Sequence, residues 1–169
     1  MRILFALIAI VLATYACDCQ RTPDVDPKAG TTDSIYNDNG KLQKVIRYQN
    51  DSLHYSVEEF HASGQITYTG TYGAIKNISV PLEEHLYYRT DGTIDKRITY
   101  VYENTDAENV KEVAQLQEEL TFHLDGKTPK KSAMYRGCPG SNRSPCGEWL
   151  SFDENGNKMS AVIYDAECK

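Results

Sequence analysis

Five glycines along the chain share the same local context, and this repeat constrains the fold more than any other feature. Each glycine follows Asn, Asp or Ser, and each has an aromatic residue four positions before it. In four of the five, a second aromatic residue follows eight positions after the glycine. These glycines are Gly40, Gly64, Gly92, Gly126 and Gly156. Their spacings of 24, 28, 34 and 30 residues lie within the periods of repeat proteins, so we predict five copies of one structural unit.

The spacing predicts a β-hairpin with a three-residue loop at each glycine. A type I turn closed by a left-handed glycine bulge pairs the residue four before the glycine with the residue two after it, such as Tyr36 with Leu42. Because side chains alternate along strands, we predict that Tyr36 and Tyr48 share one face, and so do Phe152 and Tyr164. We therefore predict an all-β fold: an antiparallel meander of about five β-hairpins forming a single twisted or curled sheet.

The predicted sheet has one apolar face, which is unstable in contact with water. The sheet must therefore curl and close on itself, pack against a second copy or bind a partner. The twist added by the bulges favours curling. In the last unit, the register set by the bulged turn places Trp149 on the opposite, mostly polar face, together with Met159 and Ile163. Two interpretations stay open: other parts of the chain cover these residues, or Trp149, Met159 and Ile163 form an exposed binding patch.

Two connections between the units have sequence signals of their own. Residues 73 to 81 are predicted to form a loop between the second and third hairpins. In the longest gap, Thr105 and Glu108 fit a capping box, which predicts at most a short helical turn before a strand that starts near residue 113.

The last unit resembles a known repeat. Tyr135-Arg136-Gly137, followed later by Gly147-Glu148-Trp149 and the turn Asn155-Gly156, resembles the variant MORN repeat of the bacterial YwqK-like antitoxin type. The resemblance covers roughly residues 33 to 165. It implies antiparallel hairpins laid side by side and a binding or scaffolding role, with no catalytic residues to transfer.

Residues 1 to 16 have the pattern of an export signal. Arg2 precedes an apolar run from Ile3 to Ala13, which is shorter than the ~20 residues of a membrane-spanning helix. Cys17 follows directly and resembles the lipidated first residue of a bacterial lipoprotein, with simple secretion as the alternative. Residues 17–34 contain prolines and no apolar periodicity, so we predict a flexible tether, followed by a repeat domain over residues 35–169.

The chain has five cysteines, an odd number for an exported protein. If Cys17 carries a lipid, four remain. Cys138 and Cys146 flank a loop rich in Pro, Gly and Ser, and we predict that they form a disulfide; Cys19 and Cys168 are a further candidate pair. A zinc site is disfavoured because the Cys-x-x-Cys spacing is missing.

Charge and motifs indicate what kind of function to expect. Without the export signal, the chain has 17 basic and 24 acidic side chains, a net charge of −7, which disfavours nucleic acid as a partner. The sequence contains no Gly-x-Ser-x-Gly motif, no phosphate-binding glycine loop and no His-Glu-x-x-His motif, and its four histidines are scattered. We therefore expect that the protein is not an enzyme and that it binds no metal and no cofactor.

These observations together predict a non-enzymatic, exported repeat lipoprotein of the cell envelope. We expect it to be held at the periplasmic or outer membrane by its lipid anchor alone, and to bind or scaffold an unknown envelope protein. The alternative function is a carbohydrate- or cell-wall-binding module that uses exposed members of the twelve tyrosines, and the alternative location is free secretion.

Overall fold

The computed structural model describes residues 28–51 and 53–164. The predicted export signal, Cys17, Cys19, most of the predicted tether and Cys168 lie outside the described residues. The first strand begins at Thr32, within the segment predicted as tether.

Ten antiparallel strands form one sheet in which every strand lies beside its neighbours in the sequence. They are β1 Thr32–Tyr36, β2 Leu42–Tyr48, β3 Tyr55–Phe60, β4 Ile66–Ile75, β5 Ile78–Tyr88, β6 Ile94–Glu103, β7 Ala114–Phe122, β8 Pro129–Gly137, β9 Ser144–Phe152 and β10 Lys158–Tyr164. The sheet is open, with β1 and β10 at its edges. This confirms the predicted meander of five hairpins.

The predicted turn is present in the first hairpin. Gly40 N–H donates to the carbonyl of Asn37, and Asn37 N–H donates to the carbonyl of Lys41, both at 2.9 Å. Gly40 has φ +73°, and Tyr36 pairs with Leu42 as expected. The hairpins at Gly64, Gly92 and Gly156 repeat this pattern. The loop of the fourth hairpin is one residue longer, because its closing bond runs from His123 N–H to the Thr128 carbonyl.

A second β-bulge follows the turn in every hairpin. In the last hairpin Phe152 lies opposite Lys158 and Ser151 lies opposite Ser160, which leaves Met159 without a residue opposite. The extra residues of the five outgoing strands are Gln43, Thr67, Asp95, Lys130 and Met159. One extra residue reverses the alternation of side chains along the rest of the strand.

This second bulge overturns the predicted sharing of one face by the paired aromatics. The aromatics that precede the turns lie on one face, here called face B: Tyr36, Phe60, Tyr88, Phe122 and Phe152. Those that follow the turns lie on the other, here called face A: Tyr48, Tyr72, Tyr100, Tyr135 and Tyr164. Both faces therefore receive aromatic side chains.

The predicted grouping of Trp149 with Ile163 is wrong for the same reason, whereas Trp149 lies on the face opposite Phe152 as predicted. With the second bulge, Trp149 lies opposite Val162 on face A, next to Tyr164. Ile163 lies opposite Glu148 and belongs to face B.

The predicted loop over residues 73 to 81 is also wrong. Strand β4 continues to Ile75 and strand β5 begins at Ile78, so the connection between them consists of Lys76 and Asn77. Both residues have positive φ, 49° and 64°, as in the two-residue turns that match strand twist. In the longer β6–β7 connection, a short 3-10 helix spans Val110–Glu112, and β7 starts close to the predicted position.

Buried residues occur on both faces of the sheet. Val57 and Ile98 are buried on face A, and Val45 and Val80 are buried on face B. The β8–β9 connection covers part of face A, because the guanidinium of Arg143 lies 5.6 Å from the centre of the Tyr100 ring on β6. The core is thus formed by contacts along the sheet and by connections that fold back onto it.

Candidate functional site

A continuous line of ring contacts crosses face A from β2 to β6. Tyr48 lies 5.6 Å from Tyr55, which stacks on Tyr72 at 5.1 Å with an interplanar angle of 7°. Tyr72 lies 5.0 Å from the ring of His85, and His85 lies 4.9 Å from Tyr100. Cross-strand aromatic pairs of this kind stabilise sheets and leave flat apolar surfaces on one side.

His85 is the most buried polar side chain on face A, with 1% of its surface exposed. Its Nε2 lies 2.8 Å from the Thr71 carbonyl, which only accepts, so Nε2 carries the proton. Nδ1 therefore accepts from the Tyr68 hydroxyl at 2.7 Å, and Tyr72 in turn donates to Tyr68 at 2.8 Å. A Cβ at Gly70 would come within 2.8 Å of Nδ1, so this network needs a glycine there.

A second aromatic cluster lies at the other end of face A. The ring of Trp149 is 5.0 Å from Tyr135 and 4.7 Å from Tyr164. Its Nε1 donates to the Met134 carbonyl at 3.0 Å, which fixes the orientation of the indole. The ammonium of Lys131 lies 4.5 Å from the centre of the Trp149 ring, a favourable cation–π distance.

An open groove of about 710 Å³ runs beside this cluster. Its lining combines apolar side chains of the last hairpin with cationic residues of the fourth, including Trp149, Met159, Val162, Tyr164, Lys130 and Lys131. An adjoining depression of about 930 Å³ shares His123, Lys130 and Lys131 with it. The end of face A near β10 therefore offers an apolar floor with a rim of mixed charge, in which Lys130 and Lys131 stand beside Asp153 and Glu154.

Four tyrosines of face A have a raised pKa because their rings are partly buried. Burial raises the pKa of Tyr100 to about 12, and burial also raises the pKa of Tyr68, Tyr87 and Tyr135. These phenols remain protonated, so they present rings and neutral hydroxyl groups and not a nucleophile or base. The arrangement suits binding.

The structure divides the predicted patch of Trp149, Met159 and Ile163. Trp149 and Met159 both line the groove on face A. Ile163 points to face B and is 75% exposed. Sequence reasoning missed His85 and Lys131, because their roles depend on pairing across strands that the repeat pattern does not display.

The predicted disulfide between Cys138 and Cys146 is wrong. Cys138 is a free thiol that donates to the Lys111 carbonyl at 3.2 Å, in the β6–β7 connection. Cys146 is fully buried on β9 opposite Met134, and it is not a free thiol, but Cys138 is not its partner.

Within residues 28–51 and 53–164, no group of three or more His, Cys, Asp or Glu side chains is arranged to hold a metal ion. In the same ranges, no helix has the length and apolar character needed to cross a membrane.

Comparison with known proteins supports the repeat. Residues 34–50 and 145–166 match the family model of the MORN repeat variant. These segments contain the first and the last hairpins, with the turns at Gly40 and Gly156. No curated protein and no solved structure shows a significant match to the chain. The matches and the ten-stranded meander describe a repeat module whose fold fits a MORN-type repeat.

The buried His85 predicts how stability depends on pH. Burial lowers its pKa from the ordinary value of 6.5, so the unfolded chain binds a proton more readily than the folded chain. Its contribution to stability is therefore complete above about pH 6.5 and is lost as the pH falls through the folded-state pKa. Urea unfolding followed across this range should show His85→Gln to be less stable at neutral pH and less sensitive to acid than the wild type.

The control for this experiment is His61→Gln, since His61 is exposed in a hairpin turn. That variant should keep the acid sensitivity of the wild type. An acid sensitivity that His85→Gln fails to reduce would show that another group is responsible.

Proposed function

We propose that this chain is a non-enzymatic repeat module of the cell envelope that binds another protein at the edge of its last hairpin. The observation that carries the proposal is the apolar exposure of β10. Met159, Val162 and Ile163 are 70%, 52% and 75% exposed within this one seven-residue strand. The neighbouring groove on face A extends the apolar surface inward from the edge.

An edge strand has unpaired N–H and C=O groups that a strand from another chain can bind. Among the described residues, β10 has one neighbouring strand, β9. The opposite edge, β1, is shorter and mostly polar, and Lys28 forms a salt bridge with Asp33 on it. Of the two edges, β10 is thus the better surface for strand pairing with an apolar partner segment.

The binding proposal is tested by placing a charge on β10. Ile163→Lys should weaken binding of the partner about tenfold or more, because a lysine on an edge strand opposes strand pairing and removes apolar contact area. The partner would be captured from an envelope extract by the immobilised full chain, identified by mass spectrometry, and its affinity measured with both proteins purified.

Leu124→Lys is the matched control, because Leu124 is 81% exposed but lies in the β7–β8 turn. It should leave the affinity unchanged. Equal affinities of the wild type and Ile163→Lys, or equal losses in the two lysine variants, would contradict binding at β10.

We further propose that the chain is exported and anchored by a lipid on Cys17. The support is the apolar run that ends in Ala16 directly before Cys17. Cys17→Ser should move the protein from the membrane fraction to the soluble fraction of a bacterial host, because the anchor is lost. Cys19→Ser serves as control and should stay in the membrane fraction; an unchanged distribution of Cys17→Ser would remove the anchor.

Carbohydrate binding is a second candidate function. It is favoured by the ring cluster of Trp149, Tyr135 and Tyr164, which lies beside an open groove with hydroxyl and ammonium groups at its rim. Flat rings near polar donors suit the apolar faces and hydroxyl groups of sugars.

A further inference from the structure

We propose that face A binds a linear carboxylated saccharide that lies across strands β6 to β10. Lys96 and Lys131 would pair with carboxylates of the saccharide, and the rings of Tyr87 and Trp149 would contact its sugar rings. This inference rests on the carbohydrate-binding candidate and names its ligand class. It shares the groove on face A with the protein-binding proposal, but its ligand and its test are different.

A row of hydrogen-bond donors crosses face A near the turns. Each residue of the row lies opposite the next one on the neighbouring strand, in the order Lys96, Thr121, Lys131, Ser151 and Ser160. Every member has an ammonium or hydroxyl group, and the row continues over five strands. The row ends beside the groove, which Lys131, Ser151 and Ser160 line.

The two lysines of the row are available to an anion. Within the described ranges neither forms a salt bridge; instead Lys96 lies 4.5 Å above the Tyr87 ring and Lys131 lies 4.5 Å above the Trp149 ring. Lys44 occupies the same row on β2 but is bound to Glu59 at 3.0 Å. Between β6 and β10 the row itself contains two ammonium groups and no carboxylate, while the carboxylates of Asp153 and Glu154 line the adjoining groove.

The spacing of the row fits a saccharide chain. Neighbouring strands lie ~4.8 Å apart, which is close to the advance of one sugar unit in an extended chain. Lys96 and Lys131 are two strands apart, or about 9.5 Å, so they would meet carboxylates on alternate sugars. A uronate chain with a carboxylate on every unit, or on every second unit, satisfies this spacing.

The rings beneath the lysines favour a saccharide over a simple polyanion. Each ammonium group covers one face of the ring beneath it, Tyr87 or Trp149, and a lysine that turns to a sugar carboxylate would uncover that flat apolar face for the sugar ring. Glu119 lies on face A, opposite Ala133, and offers an acceptor for sugar hydroxyl groups. A polyanion without sugar rings would use the two lysines only.

Trp149 is the only tryptophan of the chain, so its emission reports binding at this site alone. The full chain would be titrated with a galacturonate tetramer, its methyl ester and a neutral galactose tetramer, with affinities from calorimetry. We expect the acid tetramer to bind at least about tenfold more tightly than the ester and to change Trp149 emission, with binding weakened by salt.

Lys131→Gln and Lys96→Gln should each weaken binding of the acid tetramer by about tenfold. Lys44→Gln, in the same row but ion-paired, should have no effect. Equal binding of the acid and ester tetramers would overturn the inference and leave carbohydrate binding intact, while no binding of any tetramer would overturn both. Binding without a change in Trp149 emission, or an equal loss in Lys44→Gln, would also overturn the site.

Discussion

The structure depends on the second β-bulge of each hairpin. The turn glycine alone would place the aromatics before and after it on one face. The extra residue that follows the turn reverses which side chains of the outgoing strand point to each face. Aromatic residues such as Phe152 and Tyr164 therefore lie on different faces of the sheet. The sheet consequently has ring side chains on both faces, and face A gathers those that follow the turns.

The sequence predicted the turns and the meander well, because both follow from local chemistry. A glycine after Asn, Asp or Ser specifies the left-handed position of a type I turn, and the repeat shows that consecutive hairpins are equivalent. The second bulge was not predictable in the same way. Its extra residues, such as Gln43, Asp95 and Met159, share neither size, charge nor special φ, so the pattern gives no sign of them.

The errors about the candidate site follow from that one missing residue and from long-range packing. The register shift of one position placed Ile163 on face B, away from Trp149, and brought Val162 and Tyr164 to face A beside it. The row containing Lys96 and Lys131 exists only in the bulged register, since each lysine follows a bulge residue. The thiol of Cys138 turns to a connection 27 residues away, which no local pattern indicates.

The register around Trp149 is the most direct test of this account. Nuclear Overhauser contacts between the backbone of β9 and β10 distinguish the two registers, and the single indole is assigned without ambiguity. The bulged hairpin predicts cross-strand contacts from Trp149 to Val162 and from the indole to the Tyr164 ring. Contacts from Trp149 to Ala161 instead, as an uninterrupted strand requires, would contradict the second bulge and the arrangement of face A.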